Sequence, residues 1–388
     1  MKLEGLKVVD ISMFLPGPLL SQMLGDHGAE VIKVEQVEGG EPNRSIGAKR
    51  DGVSVFFSNT HRGKKSLTLN LKAPEGREIL LKLCEQADVF VEAFRPGVAR
   101  RLGIDYEAMA KRNPRIVYVS ISAFGQTGPY VKNPAHDLAT EALAGIVSVN
   151  LGPDDKPAIP GLPNADMLSS MIGLSGVLMA LYRRQQTGEG DFVDISMMDS
   201  LLACMPNNFG PPMADKRPPV PKLERSWGGN AMYGLYETKE GDWIALGGAE
   251  LHFAETLMHA LGRPDLFECC KLPPGKGQDP ARDFLRETFK TKTKAEWVKF
   301  FEPMMDKLAF APVKNLREAL DDPQARAREM VLVDERGWEH LGIPIKFTRE
   351  PGKVRFDLPA HGQHSAEIIA GLGYSEAQVK ALKEKGVW

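Results

Sequence analysis

The sequence predicts an α/β protein: a large domain built on a parallel sheet, followed by a smaller α+β domain. Three observations carry that reading. Strand-like and helix-like runs alternate through the first half, prolines crowd between Pro206 and Pro221, and a hairpin pattern opens the segment after them. The length, 388 residues, fits two or three domains at roughly 150 residues each.

The alternation begins at the N-terminus. Leu6 to Ile11 is a short β-rich run, Pro16-Gly17-Pro18 breaks the chain, and Leu19 to His27 has helical spacing that stops at Gly28. Glu30 to Glu35 is the second strand. Leu67 to Leu71, Asp88 to Glu92 and Ile116 to Ser122 follow as strands, with helices over Pro74–Ala87 and Tyr106–Asn113. Strands alternating with helices of this length form βαβ units and a parallel sheet, with ligands at the carboxyl ends of the strands. No GxGxxG follows the first strand, so a nicotinamide or flavin site of the usual kind is not expected. After the proline cluster, Tyr233–Thr238 and Trp243–Leu246 alternate around Glu240-Gly241-Asp242 as a hairpin. Helical runs follow near Ala254–Leu261, Pro280–Phe289 and Lys294–Lys307, and the tail from Ser365 to Trp388 is helical about Gly373.

Charge and cysteine use narrow the function. Lys and Arg total 49 against 51 Asp and Glu, so the basic excess of a nucleic-acid-binding surface is missing and no nucleic-acid partner is expected. A local basic pocket for one phosphorylated ligand remains compatible. Cys84, Cys204, Cys269 and Cys270 form no CxxC pair, which suggests neither a metal site nor a disulfide framework. The first ten residues read as a strand, not as a signal, and the apolar stretch Met171–Tyr182 is too short to span a bilayer. A cytoplasmic protein without a membrane partner is expected.

His136 to Gly188 is the most informative stretch. His136-Asp137 follows a polar turn, Gly125 to Pro129. Asp166 stands just before an apolar helix read from Met167 to about Gln186 and closed by Gly188. Its simplest role is to cap that helix, since an Asp carboxylate accepts from first-turn N–H groups. The same position also suits a general acid/base or a nucleophile. His136 reads either as a hydrogen-bonded structural partner of Asp137 or as a proton-transfer group. Arg44, Arg62, Lys64, Lys65 and Arg95 lie in loops or near strand ends, where cations could hold a phosphorylated ligand. The plainer reading is a solvated charged loop, and Arg95, directly after an apolar strand, is the best placed. Glu250, after Gly247-Gly248, either faces a cleft or sits in an exposed turn.

Several stretches together resemble the CaiB/BaiF family, the class III CoA-transferases, which includes the α-methylacyl-CoA racemases. They are Leu6 to Asp10 with Pro16-Gly17-Pro18, Leu24 to Glu35, Asn59 with Arg62 to Ser66, and Phe94 to Gly97 with Leu102-Gly103. Gly125 to Pro129, Thr187 to Gly190 and Ala311-Pro312-Val313 complete the set. The resemblance implies a Rossmann-like large domain over residues 1–205 and 320–388, a Pro-rich linker over 206–222 and a small α+β domain over 223–319. It implies an interlocked homodimer and an acyl-CoA thioester substrate. No cofactor is implied beyond the CoA of the substrate, and no metal. By position, Arg44, Arg62, Lys65 and Arg95 become candidates to contact CoA.

The resemblance implies two chemistries. A transferase uses a carboxylate that attacks the thioester, and that carboxylate maps to Asp166. A racemase uses two opposed acid/base groups, which map to His136, supported by Glu250, and to Asp166. His136-Asp137, Asp166 and Glu250 occur together here, as in the racemases. Trp227-Gly228-Gly229-Asn230 is less glycine-rich than the loop that shields the intermediate in some transferases. The sequence therefore favours racemisation of a 2-methyl-branched acyl-CoA, with CoA transfer between carboxylic acids through Asp166 as the alternative.

Overall fold

A computed structural model describes residues 1–152 and 154–388. The chain divides into two compact units. The larger holds residues 1–147, 159–205 and 323–388, and the smaller holds 148–158 and 206–322.

In the larger unit the order is β1 Lys7–Asp10, α1 Pro16–Asp26, β2 Glu30–Glu35, β3 Lys49–Arg50, β4 Val53–Ser54, α2 Val55–His61 and β5 Lys65–Thr68. Next come α3 Pro74–Cys84, β6 Val89–Glu92, α4 Val98–Leu102, α5 Tyr106–Ala110, β7 Val117–Ser122, α6 Asp137–Leu143 and, at the boundary, α7 Ile146–Val149. The long helix α8 Asn164–Thr187, β8 Asp191–Ser196 and α9 Met197–Ala203 close this part.

Six of these strands form one sheet in the order β5-β2-β1-β6-β7-β8, and every pairing is parallel. Counted among the sheet strands alone, this is the doubly wound order 3-2-1-4-5-6, whose ligand crevice opens where the order reverses, between β1 and β6. The central strands are largely buried on both faces because both are covered. Val9, Ile32, Leu67, Phe90 and Tyr118 pack on one side with Ile79 and Leu80 of α3. Val8, Val31, Val91, Val119 and Ile195 pack on the other with Leu20 of α1 and Val177 of α8.

Pro16-Gly17-Pro18 does not interrupt the chain. It starts α1, with proline in the first turn, where a missing N–H costs nothing. A side chain at Gly17 would put its Cβ 2.0 Å from the Ser12 hydroxyl, so close packing of this turn on the segment after β1 requires glycine. Phe14, just before it, holds φ 65°, a left-handed conformation that a bulky residue adopts only when its surroundings impose it. Glu41 accepts from its N–H at 3.0 Å, and its carbonyl accepts from the Asn43 side chain.

In the smaller unit, α10 Gly210–Ala214 forms within the proline-rich stretch. β9 Tyr233–Glu237 and β10 Trp243–Gly247 pair antiparallel as the sequence predicts, and β11 Phe310–Pro312 adds a third strand on β10. Helices α11 Leu251–Ala260, α12 Phe267–Cys270, α13 Asp279–Phe289 and α14 Lys294–Phe301 accompany them, and Leu257, Leu285 and Trp297 share a core with Ile244 and Leu246 of β10. The chain then runs through α15 Leu316–Leu320 into the larger unit as α16 Pro323–Ala327, the hairpin of β12 Val331–Val333 and β13 Glu339–Leu341, α17 Ser365–Gly371 and α18 Glu376–Glu384.

Candidate active site

The reversal of strand order sets the site. The segment after β1 and the segment after β6 diverge there, and two cavities lie between and beside them. One, of about 530 Å³, is lined by Ile11, Met13, Leu69, Lys72, Phe94 and Leu102, among others. The other, of about 390 Å³, is lined by Met13, Phe14, Phe94, Arg95, His136 and Asp166, among others. Met13 and Phe94 line both cavities, which are therefore neighbours.

Asp166 is the third residue of α8, so the helix begins three residues earlier than its apolar run implies. It does not cap the helix. Among the described residues its carboxyl accepts no hydrogen bond, and Pro163 at the cap position offers no side-chain acceptor. The first-turn N–H groups are instead taken by α6. Asp137 Oδ1 accepts from Ala165 at 2.9 Å and from Asp166 at 3.2 Å, and Glu141 Oε1 accepts from Asn164 at 2.8 Å. Asp137 is thus committed to backbone N–H groups of α8. Glu141, one helical turn further along α6 and buried, does the same; sequence spacing gives no reason to single it out.

The freed Asp166 carboxyl lines the cavity in a half-buried position. Burial, reinforced by the charges of Asp137 and Glu141, pushes its pKa up to about 7. His136 stands at the N-cap position of α6, where its backbone carbonyl accepts from Thr140 at 3.1 Å. Its exposed ring lines the same cavity and meets Phe14 edge-on, with ring centroids 6.0 Å apart. Structure thus brings His136 and Asp166 to one cavity, with Asp137 beneath the turn that carries Asp166. Glu250 is the exposed N-cap residue of α11 in the smaller unit. Close packing of Gly248 on Phe253 and Ala309 fixes the turn that leads to it.

The predicted cations separate into two kinds. Arg62 is buried, 4% exposed, and its guanidinium bonds Asp26 at 2.7 Å and the Leu341 carbonyl at 2.6 Å. Lys65 pairs with Glu30 at 2.7 Å and Glu367 at 3.5 Å and lines neither cavity. Arg44 pairs with Glu35 at 2.7 Å over the Phe57 ring. These three charges are satisfied within the fold by partners that sequence spacing does not disclose. Arg95 differs: it is exposed, lines the smaller cavity, and has no carboxylate partner among the described residues. Lys72, which sequence reasoning missed, has the same character beside the larger cavity.

Beneath the β1 end lies a buried ionic cluster. Asp10 sits 3.6 Å from Lys33 and 3.3 Å from Lys64, and Lys33 is 3.1 Å from Glu41. Burial alone would raise the Asp10 carboxyl, but Lys33 and Lys64 hold it at about 2. Burial pushes Lys64 down to about 8 against the pull of Asp10. Lys64 is therefore an internal counterion, not a ligand-binding cation.

Residues 3–365 match the model of CoA-transferase family III, and the chain belongs to that family. It is 30% identical to a succinate–glutarate CoA-transferase of Agrobacterium fabrum, covering 95% of each chain. It is 31% identical to an acetyl-CoA:oxalate CoA-transferase of Acetobacter aceti, covering 91% of this chain and 92% of that one. Its structure resembles the crystal structure of a CaiB/BaiF family protein from Brucella suis with a TM-score of 0.83 and 27% identity, covering 95% of this chain and 99% of the other. The protein is therefore an enzyme of this transferase family. The Agrobacterium and Acetobacter relatives carry transferase names, which favours CoA transfer over the racemisation that His136, Asp166 and Glu250 suggest by residue type.

Proposed function

We propose that the enzyme transfers CoA between two carboxylic acids, with Asp166 as the nucleophile. The observation that carries this reading is a carboxyl at the head of α8 that accepts no hydrogen bond among the described residues and lines a cavity beside the strand-order reversal. CoA lies across the two adjoining cavities. Its nucleotide occupies the larger one near Lys72, Arg95 meets an anionic part of the substrate, and the thioester reaches Asp166 past Met13 and Phe94.

The steps follow from the chemistry of a carboxylate nucleophile. The Asp166 carboxylate attacks the thioester carbonyl and expels CoA thiolate, leaving a mixed anhydride. The thiolate attacks the Asp166 carbonyl of that anhydride and releases the first acid, which leaves an Asp166–CoA thioester. The acceptor acid and the thiolate then repeat the two steps in reverse order. With first-turn N–H groups engaged by Asp137 and Glu141, the backbone of Asp166 is anchored while its carboxyl accepts no hydrogen bond among the described residues, which leaves that carboxyl free to form and break acyl bonds. The names of the relatives point to short-chain acyl-CoA donors, acetyl-CoA among them, and to short dicarboxylic acids as acceptors. The chain acts as a homodimer in the cytoplasm. The exposed apolar positions Met171, Leu178, Met179 and Tyr182 on α8 supply a surface for a second copy.

A second reading, α-proton exchange on a 2-methylacyl-CoA, is favoured by one observation: His136 and Asp166 line one cavity. In that reading Glu250 supports His136. Incubation with a panel of acyl-CoA donors and free dicarboxylates, in D₂O, separates the two. Transfer of CoA to the added acid, lost in Asp166→Asn, is the expected result. Deuterium entering the α-position with no acid added, and no CoA transfer to any acid, would replace transfer by proton exchange.

A further inference from the structure

Glu141 is a carboxylate that the reaction as described does not use, yet it is fully buried on α6 at the back of the candidate site. One oxygen accepts from the Asn164 N–H at 2.8 Å, and the other is buried with no hydrogen-bond partner among the described residues. Leaving a buried carboxylate half satisfied costs free energy, so the fold holds this group against an intrinsic penalty. Asp137, four residues earlier on the same helix face, takes the next two N–H groups. Two acidic side chains from α6 therefore cap α8 from outside, directly behind Asp166.

We propose that Glu141 is a positioning residue for Asp166: together with Asp137 it fixes the first turn of α8 and keeps a negative charge behind the carboxyl that faces the cavity. The role of Asp166 as nucleophile rests on the reading above, whereas the placement of Glu141 does not. The charge matters because like charges oppose ionisation and couple their titrations. Asp137, Glu141 and His136 flank Asp166 from α6, and Arg95 lines the cavity from the turn after β6. α1 and α9 present Pro16 and Met197 to it, which carry no charge. Removing Glu141's charge while keeping its acceptor oxygen should release the Asp166 proton at lower pH.

The test reads the Asp166 carboxyl in the free enzyme by infrared spectroscopy with ¹³C-labelled aspartate, the band being assigned by its loss in Asp166→Asn. Wild type is expected to titrate near pH 7. Glu141→Gln is expected to lower that midpoint by about 0.5 to 1 unit, and to raise turnover at pH 6 relative to pH 8 by roughly 2.5- to 5-fold. Glu141→Asp, which keeps the charge, should stay nearer to wild type than Glu141→Gln. A folded Glu141→Gln with an unmoved midpoint overturns the proposal. Should that variant not fold, wild type labelled with ¹³C-glutamate decides: a buried glutamate band must respond at the Asp166 midpoint, and a band indifferent to it overturns the proposal. The titration needs no substrate. A failed transferase reading therefore leaves its result standing, and an unmoved midpoint leaves transfer by Asp166 untouched.

Discussion

At the scale of single residues, the proposed chemistry turns on a carboxyl released from a structural duty. An Asp in the first turn of a helix ordinarily bonds the exposed N–H groups. Here α6 supplies those acceptors, and Asp166 lines a cavity instead. Asp166→Asn is expected to lower transfer at least about a thousandfold, since removal of a nucleophile is among the costliest single changes in an active site. Assays of CoA exchange between a thioester and a free acid check this. Its titration also links to folding. With a folded pKa near 7 and an ordinary value of 3.8 when unfolded, the native state binds the proton more tightly. The folded state is thus favoured by this group below pH 4 and loses that contribution as pH rises towards 7. Asp166→Asn should therefore raise the melting temperature at pH 8 more than at pH 5, as read by paired thermal scans. Lys64 is the opposite kind of residue. Truncating it to alanine leaves Asp10 buried beside one cation instead of two. Denaturant unfolding should show a loss of about 3–5 kcal/mol, the usual cost of breaking a buried pair.

At the scale of elements, helix α8 links core packing to the site. Ala165, Ser169, Gly173, Val177 and Leu181 are buried, while Met171, Leu178, Met179 and Tyr182 are exposed. Its 24 residues are long and apolar enough to cross a membrane by length and composition, which the shorter stretch Met171–Tyr182 does not disclose; the buried side shows that one face belongs to the core. Asp137→Ala removes acceptors from two first-turn N–H groups of α8. It should cost about 1–2 kcal/mol in denaturant unfolding, the range of a lost helix cap. The start of this helix is hidden in the sequence for a physical reason. Apolar periodicity begins at Met167, but the helix begins at Asn164, because its cap comes from another helix 23 to 29 residues away in sequence. The strands are more legible, since burial on both faces leaves short runs rich in β-branched and aromatic residues, Val31-Ile32 in β2, Val89-Phe90-Val91 in β6 and Val117-Tyr118-Val119 in β7. β8 is not legible as a strand: Asp191-Phe192-Val193-Asp194 is partly exposed at the sheet edge and carries the polar residues that edges tolerate.

At the scale of the whole molecule, the doubly wound order brings the ends of β1 and β6 to one crevice although β1 ends at Asp10 and β6 begins only at Val89. His136 and Asp166 are legible as candidates because few residue types perform proton transfer or acyl chemistry, and the structure brings both to one cavity. The cation assignments are less legible. Arg62 finds Asp26, and Lys65 finds Glu30 and Glu367, through strand pairing and helix packing that local sequence does not encode. The proposed homodimer is tested at this scale. Sedimentation should give about twice the 42.7 kDa chain mass, and Met179→Asp, on the proposed α8 contact face, should weaken association.

The most direct measurement is a covalent trap. The enzyme is mixed with a dicarboxylyl-CoA donor, quenched, digested and analysed by mass spectrometry, with and without hydroxylamine. An adduct of CoA or of the acyl group on the peptide containing Asp166, converted by hydroxylamine to a hydroxamate at that residue, is the expected result. Rapid CoA transfer with no modification at Asp166, or full transfer by Asp166→Asn, would exclude Asp166 as the nucleophile.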